Sequence, residues 1–146
     1  MPKKAKSATA AKKKAGPKKP EEINILVVDD EKNLTLAMRR LLSAEGYSTQ
    51  TAGSGEEALE VVKEKDYDLI FLDVNMPEMN GLETFKKLKK VTPKSAVIMI
   101  TGYGKTLKTL VEEARELGVR DVIDKPFKIN QITEAVREAI PHAESE

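Results

Sequence analysis

The chain has 146 residues and no cysteine, and 25 lysines and arginines nearly balance 24 aspartates and glutamates, for a formal net charge of +1. This length is enough for one domain with its own core. The lack of cysteine excludes a disulfide framework, a cysteine-ligated zinc site and a thiol nucleophile. No apolar stretch is long enough to span a bilayer and no signal peptide is visible, so we expect a cytoplasmic protein without membrane contact.

The net charge hides a basic tail at the N-terminus. Residues 1–21 are rich in lysine, alanine and proline, with eight lysines from Lys3 to Lys19. Such a segment buries too little apolar surface to offset the entropy of ordering, so we predict that it is disordered. Clustered lysines can neutralise nucleic-acid phosphates or contact an anionic membrane surface, so nonspecific DNA contact through this tail is one interpretation. A tail that only adds solubility, or that folds back on the acidic remainder of the chain, stays open.

From residue 22 onward, short apolar runs alternate with segments of helical periodicity. The predicted strands are residues 23–28, 47–52, 67–74, 95–102 and 119–124. The second strand is the most polar, as expected at an edge of a sheet. Apolar residues three and four apart mark a helix after every strand, and the helix after the second strand opens with a capping box formed by Ser54 and Glu57. Five strands alternating with five helices predict a parallel sheet covered by helices on both faces.

Charged and hydroxyl side chains follow the apolar strands, at the points where the strands end. Asp29 and Asp30 follow the first strand, and Asp73 ends the third. Thr101 ends the fourth strand, and Lys125 follows the fifth. Ligands of such sheets bind at the carboxyl ends of the strands. Three carboxylates meeting there would repel one another unless a hard cation such as Mg²⁺ joined them, and an added hydroxyl and ammonium could hold a phosphoryl group.

Four motifs in this order resemble those of two-component response regulator receiver domains: VVDDE, LDVNMPEMNG, MITG and DKPF. The resemblance covers residues 22–141. It implies a flavodoxin-like α/β fold, a doubly wound parallel sheet of five strands in the order 2-1-3-4-5 with five helices. We therefore expect a receiver domain over residues 22–142, between the basic tail and a short C-terminal tail at residues 143–146.

The resemblance also implies the chemistry of the site. Asp73 would accept a phosphoryl group from a sensor histidine kinase or a histidine phosphotransfer protein. Mg²⁺ would be the cofactor, bound by the side chains of Asp29, Asp30 and Asp73 and the backbone carbonyl of Asn75. We expect self-phosphotransfer and autodephosphorylation only, not an enzyme in the ordinary sense. Because the sequence ends soon after the last predicted helix, we expect a single-domain regulator that signals to a downstream protein.

The implied switch departs from the family pattern at one position. Thr101 matches the switch hydroxyl and Lys125 the phosphate-contacting lysine, whose bond to Pro126 is often cis in the family. The position three before this lysine usually carries an aromatic residue, whereas here it is Val122. The usual aromatic coupling is therefore in question, and Tyr103 is an alternative group that could gate the site. A Tyr103 that is only a surface aromatic stays equally open.

Parts of the sequence also fit other classes of protein. The segment GSGEEA, residues 53–58, matches a dinucleotide-binding loop, and Asp73 lies at about the distance of a ribose ligand. Two glutamates at the start of the following helix would repel a pyrophosphate, which argues against a nicotinamide enzyme. A flavin module is disfavoured by the lack of tryptophan. A receiver-like scaffold that is never phosphorylated is a further alternative. The only histidine, His142, is expected to be a surface residue and not a phosphate donor.

Overall fold

The structure, a computed structural model, describes residues 17–74, 81–102 and 108–142, with the backbone alone for residues 108–110. Four predicted features lie outside these described residues, namely Asn75, Tyr103, the lysines before residue 17 and the C-terminal tail at residues 143–146. No helix among the described residues combines the length and the apolar character needed to cross a membrane.

Strands and helices alternate along the described chain, after a short 3-10 turn at Pro20–Glu22. The strands are β1 Asn24–Val28, β2 Ser48–Ala52, β3 Leu69–Asp73, β4 Ala96–Thr101 and β5 Asp121–Asp124. The α-helices are α1 Lys32–Ala44, α2 Gly55–Val61, α3 Gly81–Val91, α4 Lys108–Glu116 and α5 Ile129–Ala139. Each lies within one or two residues of the apolar pattern that predicted it.

The five strands form one parallel sheet in the order β2-β1-β3-β4-β5. The predicted flavodoxin-like topology is therefore confirmed. The polar strand β2 lies at one edge, as its sequence predicted. Toward the carboxyl ends of the strands, Val28 pairs with Leu72, and Thr101 pairs with Asp124. This register brings the polar residues that follow the strands to a common edge.

The hydrophobic core has two layers, one on each face of the sheet. The alternation of side chains along β1 sends Ile25 and Val27 to one layer and Leu26 and Val28 to the other. All five residues of β3 are buried, because this central strand has helices on both faces. Buried residues of α1 and α5 lie in the first layer, and those of α2, α3 and α4 lie in the second. This double covering holds the strand ends in fixed positions.

The loop that resembles a dinucleotide-binding turn is a helix cap. The Ser54 side chain accepts the backbone N–H of Glu57 at 3.0 Å, and the Glu57 carboxylate accepts the N–H of Gly53 at 2.8 Å. The predicted cap bond from Glu57 to Ser54 is therefore confirmed, but the Glu57 carboxylate accepts from Gly53, one residue before the N-cap, so the second bond of a capping box is not formed at Ser54. A carboxylate of the protein itself already binds a backbone N–H that a pyrophosphate would need, which weighs further against a nicotinamide site.

The last residues of the predicted tail are ordered, contrary to the expectation of disorder through residue 21. Lys18 donates its backbone N–H to Pro141 O at 3.1 Å, and its Nζ lies 2.7 Å from Asp68 Oδ1. The other Asp68 oxygen accepts the N–H of Asn24 at 2.8 Å. Ordering is favourable here because the segment gains a backbone hydrogen bond and an ion pair with a partly buried carboxylate, which its composition could not reveal.

His142 is half-buried, so its expected place as a surface residue is wrong. Its Nε2 lies 2.7 Å from the Tyr47 hydroxyl, and its Nδ1 lies 2.7 Å from the Ile140 carbonyl oxygen. The two rings also meet edge to face, with centroids 5.6 Å apart. The histidine therefore packs at the amino-terminal end of β2, at the opposite end of the sheet from the strand-end carboxylates.

Candidate functional site

Three carboxylates meet at the carboxyl edge of the sheet, as the strand ends predicted. One oxygen from each of Asp29, Asp30 and Asp73 lies within 4.8 Å of the others. Asp29 is only 3% exposed and Asp73 only 2%, whereas Asp30 is open to solvent. The backbone N–H of Asp29 donates to Ala52 O at 3.1 Å, which extends the pairing of β1 with β2 up to the first carboxylate.

The site concentrates negative charge in a place that water reaches poorly. Burial raises the pKa of the Asp29 carboxyl from 3.8 to about 6. The N–H of Glu31, which donates to Asp29 Oδ1 at 2.9 Å, lowers this pKa, and the neighbouring Asp73 raises it. Lys125 lowers it further, yet the net shift is upward. The Asp29 pKa is therefore raised mainly because burial disfavours the charged carboxylate, and the repulsion from Asp73 is a smaller contribution.

Lys125 supplies positive charge from the turn after β5. Its Nζ lies 3.5 Å from Asp29 Oδ2 and 3.7 Å from Asp73 Oδ2, and its side chain is 18% exposed. Burial lowers the pKa of Lys125, but the carboxylates of Asp73 and Asp29 together raise it by more. The Lys125–Pro126 peptide bond is cis, as the family resemblance implied. The lysine is therefore a charged group facing two of the three acids.

An open cavity of about 280 Å³ lies beside this lysine. Its lining comes from the start of α1 and the turn after β5, and consists of Glu31, Leu34, Lys125, Pro126 and Phe127. The lysine thus borders both the carboxylates and a recess that is open to solvent.

Thr101 ends β4 at the same edge and is 4% exposed. Its hydroxyl donates to Asp124 Oδ1 at 2.8 Å, and its carbonyl oxygen accepts the N–H of Lys125 at 2.8 Å. Sequence reasoning identified Thr101 and Lys125 but missed Asp124. The only sequence signal was an acidic residue directly before the lysine, and its contact follows from the pairing of Thr101 with Asp124 across β4 and β5.

Val122 occupies the position of the expected aromatic residue. It is half-buried in β5, pairs with Met99 of β4, and packs against the core layer that contains α2, α3 and α4. A valine held in this way has no ring that could turn between an inward and an outward position. Asn75 and Tyr103, the remaining predicted site residues, lie outside the described residues.

The arrangement suits a hard divalent cation. Two buried carboxylates and one exposed carboxylate offer oxygen ligands at a common point, and Mg²⁺ binds a few carboxylates while keeping several waters. A cation bound here would offset the repulsion between Asp29 and Asp73, which adds to the rise that burial gives the Asp29 pKa. Receiver domains bind Mg²⁺ in an acidic pocket of this kind.

Comparisons with known proteins agree with this geometry. A family model described as a response regulator receiver domain matches residues 25–137. The chain is 35% identical to sporulation initiation phosphotransferase F of Bacillus subtilis, over 80% of this chain and 93% of that protein. It is 36% identical to the transcriptional regulatory protein ZraR of Escherichia coli, over 86% of this chain but only 28% of that protein.

Solved structures give the same result. The chemotaxis protein CheY4 of Vibrio cholerae superimposes with a TM-score of 0.73 and 27% identity, over 81% of this chain and 98% of that one. The family match covers more than half of the sequence, and the sheet order and strand-end residues agree with it. The chain therefore belongs to the response regulator receiver domain family, the phosphorelay module of two-component signal transduction.

Proposed function

We propose that this chain accepts a phosphoryl group on Asp73 from a sensor histidine kinase or a histidine phosphotransfer protein, in a Mg²⁺-dependent reaction. The observation that carries the proposal is the meeting of three carboxylates within 4.8 Å, with Lys125 Nζ 3.7 Å from Asp73. Asp73 is the buried acid at the end of the central strand, held between the other acids and the lysine. We assign this chemistry to the cytoplasm.

In the proposed reaction, an Asp73 carboxylate oxygen attacks the donor phosphorus. The bond from phosphorus to the donor imidazole nitrogen breaks, an Asp73 Oδ–P bond forms, and the imidazole leaves and takes up a proton. Asp29 and Asp30, with Asp73 and the backbone carbonyl of Asn75, would hold Mg²⁺, which supplies positive charge opposite the phosphoryl oxygens when bound. Lys125 balances a further negative charge, and its fixed position lowers the cost of orienting the group.

Release of the phosphoryl group follows from the same site. Attack of water on phosphorus breaks the Asp73 Oδ–P bond, restores the carboxylate and yields inorganic phosphate. The chain thus promotes its own phosphorylation and dephosphorylation and turns over no separate substrate. Phosphorylation shifts a two-state equilibrium of the surface that β4, β5, α4 and α5 present to a downstream protein.

Intact-mass measurement after incubation with acetyl phosphate tests this proposal. We expect a single phosphate adduct in the presence of Mg²⁺, and no adduct with EDTA or in Asp73→Asn. The matched control is Asp66→Asn, which removes an exposed carboxylate just before the same strand. Absence of an adduct from the wild type, both with acetyl phosphate and with a phosphorylated histidine phosphotransfer protein, would favour the scaffold alternative.

A second proposed function concerns the basic tail, and it rests on the eight lysines between Lys3 and Lys19. We propose that the tail binds DNA without sequence preference and with strong dependence on salt. The test compares the full chain with a shortened chain that begins at Pro17. This shortened chain keeps the ion pair between Lys18 and Asp68. We expect the full chain to bind DNA more tightly at low salt than this shortened chain. Equal affinities would refute the proposal.

A further inference from the structure

The switch hydroxyl of Thr101 already has an acceptor in this structure. Thr101 Oγ1 donates to Asp124 Oδ1 at 2.8 Å, a normal length for a strong bond to a carboxylate. The threonine is 4% exposed, so water competes poorly for its proton. Asp124 is exposed and lies directly across from Thr101 in the pairing of β4 with β5.

A hydroxyl has one proton and can donate it to one acceptor at full strength. A Thr101 hydroxyl bound to Asp124 therefore cannot at the same time donate to a phosphoryl oxygen on Asp73. The two acceptors compete for the same proton. Any preference for Asp124 is subtracted from the affinity of the site for a phosphoryl group.

We propose that Asp124 is a positioning residue that holds the Thr101 hydroxyl in the unphosphorylated protein and gives it up when Asp73 is phosphorylated. This inference rests on the proposed function of Asp73. Asp124 thereby stabilises the unphosphorylated conformation and shifts the equilibrium between the two conformations toward it.

The position of Asp124 in β5 explains why it can replace the usual coupling. Side chains alternate along a strand, so Asp124 lies on the same side of β5 as Val122, the position where the family carries an aromatic residue. Val122 is packed against the core, whereas Asp124 is open to solvent. A change in the Thr101 hydroxyl therefore reaches the surface through a carboxylate two residues further along. In this chain the surface signal is the release of a charged hydrogen-bond acceptor, not the rotation of a ring.

Removal of the Asp124 charge would by itself favour binding of a phosphoryl group nearby. The test must therefore separate the effect of the Asp124 charge from the effect of its hydrogen bond to Thr101. Asp124→Asn removes the charge but keeps an oxygen that can accept from Thr101, whereas Asp124→Ala removes both. Asp121→Asn is the matched control, because it removes a charge from the opposite side of the same strand. The Asp121 side chain accepts the N–H of Val122, and asparagine can do the same.

The experiment measures the affinity of each protein for beryllofluoride, a phosphoryl analogue, in the presence of Mg²⁺. We expect Asp124→Ala to bind it about five- to tenfold more tightly than the wild type, the effect of losing one competing hydrogen bond to a charged group at a partly exposed site. Asp124→Asn should recover most of the wild-type affinity, and Asp121→Asn should match the wild type. In a Thr101→Ala background, Asp124→Ala should have no effect.

Several results would overturn the inference. These are equal affinities of Asp124→Ala and the wild type, equal gains in Asp124→Ala and Asp124→Asn, or an undiminished gain in the Thr101→Ala background. A second readout does not depend on the phosphoryl site, namely the ¹³C-methyl resonance of Thr101 in the ligand-free protein. It should shift in Asp124→Ala, and an unchanged resonance would refute the hydrogen bond itself. If that resonance shifts while the wild type neither binds beryllofluoride nor forms a phosphate adduct, the function proposed for Asp73 is the part that fails.

Discussion

Replacement of Asp29 by asparagine is expected to stabilise the protein when no divalent cation is present. Asp29 is 3% exposed and its carboxylate lies beside that of Asp73, so the ionised form of Asp29 is poorly stabilised in the folded state. Asparagine has nearly the same shape and keeps an oxygen that can accept the N–H of Glu31, the 2.9 Å bond that holds Asp29. The substitution removes a buried charge and also its attraction to Lys125 Nζ, 3.5 Å away, which the net upward shift of the Asp29 pKa already includes.

The expected magnitude follows from the pKa of Asp29, which burial raises from 3.8 to about 6 in the folded state. A shift of roughly two pH units corresponds to about 3 kcal/mol of destabilisation by the ionised group at neutral pH. The asparagine amide nitrogen needs a partner that the carboxylate did not, which offsets part of the gain. We expect the free energy of unfolding to rise by about 1–2 kcal/mol.

The sign of the pH dependence is the sharper test. The folded pKa lies above the unfolded value, so the folded state binds more protons between about pH 4 and pH 6. Through that window the stability contributed by protonated Asp29 is lost as the pH rises. Asp29→Asn has no such loss. Its advantage over the wild type should be small near pH 4, grow toward pH 6 and be complete above about pH 7.

Urea denaturation in EDTA at several pH values measures this difference, with Asp66→Asn as a control for an exposed carboxylate outside the site. Added Mg²⁺ should stabilise the wild type far more than Asp29→Asn, because binding to the folded state alone raises its stability. The reasoning would be refuted if Asp29→Asn were no more stable than the wild type near neutral pH. It would also be refuted if the advantage were the same near pH 4 as near pH 7.

Three further predictions concern positions away from this acid. Gly81→Ala should cost at least about 2 kcal/mol in urea denaturation, because a Cβ on Gly81 would overlap the backbone of Val74; an unchanged midpoint would contradict this close approach. His142→Ala should cost about 1 kcal/mol, since the Tyr47 hydroxyl loses a 2.7 Å hydrogen bond, and thermal denaturation would detect it as a lower Tm. Tyr103→Ala should change the rate of phosphorylation or dephosphorylation measured by intact mass, and unchanged rates would leave Tyr103 a surface aromatic.

Much of the site could be predicted from the sequence because its parts are local features of the chain. Asp29 and Asp73 each follow an apolar run at the point where it must end, and helical periodicity follows both runs. Right-handed crossovers between parallel strands then leave little freedom, since all carboxyl ends lie at one edge. The three carboxylates meet Lys125 because of the sheet topology. That topology can be predicted from the order in which strand-like and helix-like apolar patterns follow one another along the sequence.

The pairing of polar groups over long distances required the tertiary structure. The contact of Thr101 with Asp124 depends on the register of β4 and β5, and no local pattern specifies that register to one residue. The bond of Tyr47 with His142 joins residues 95 positions apart. The ordering of Lys18 similarly depends on a partner, Asp68, 50 residues away. The sequence by itself determined which strands and helices form and which of them end in an acidic residue. The tertiary structure decided which polar groups pair with each other, because a hydrogen bond forms only between groups in contact.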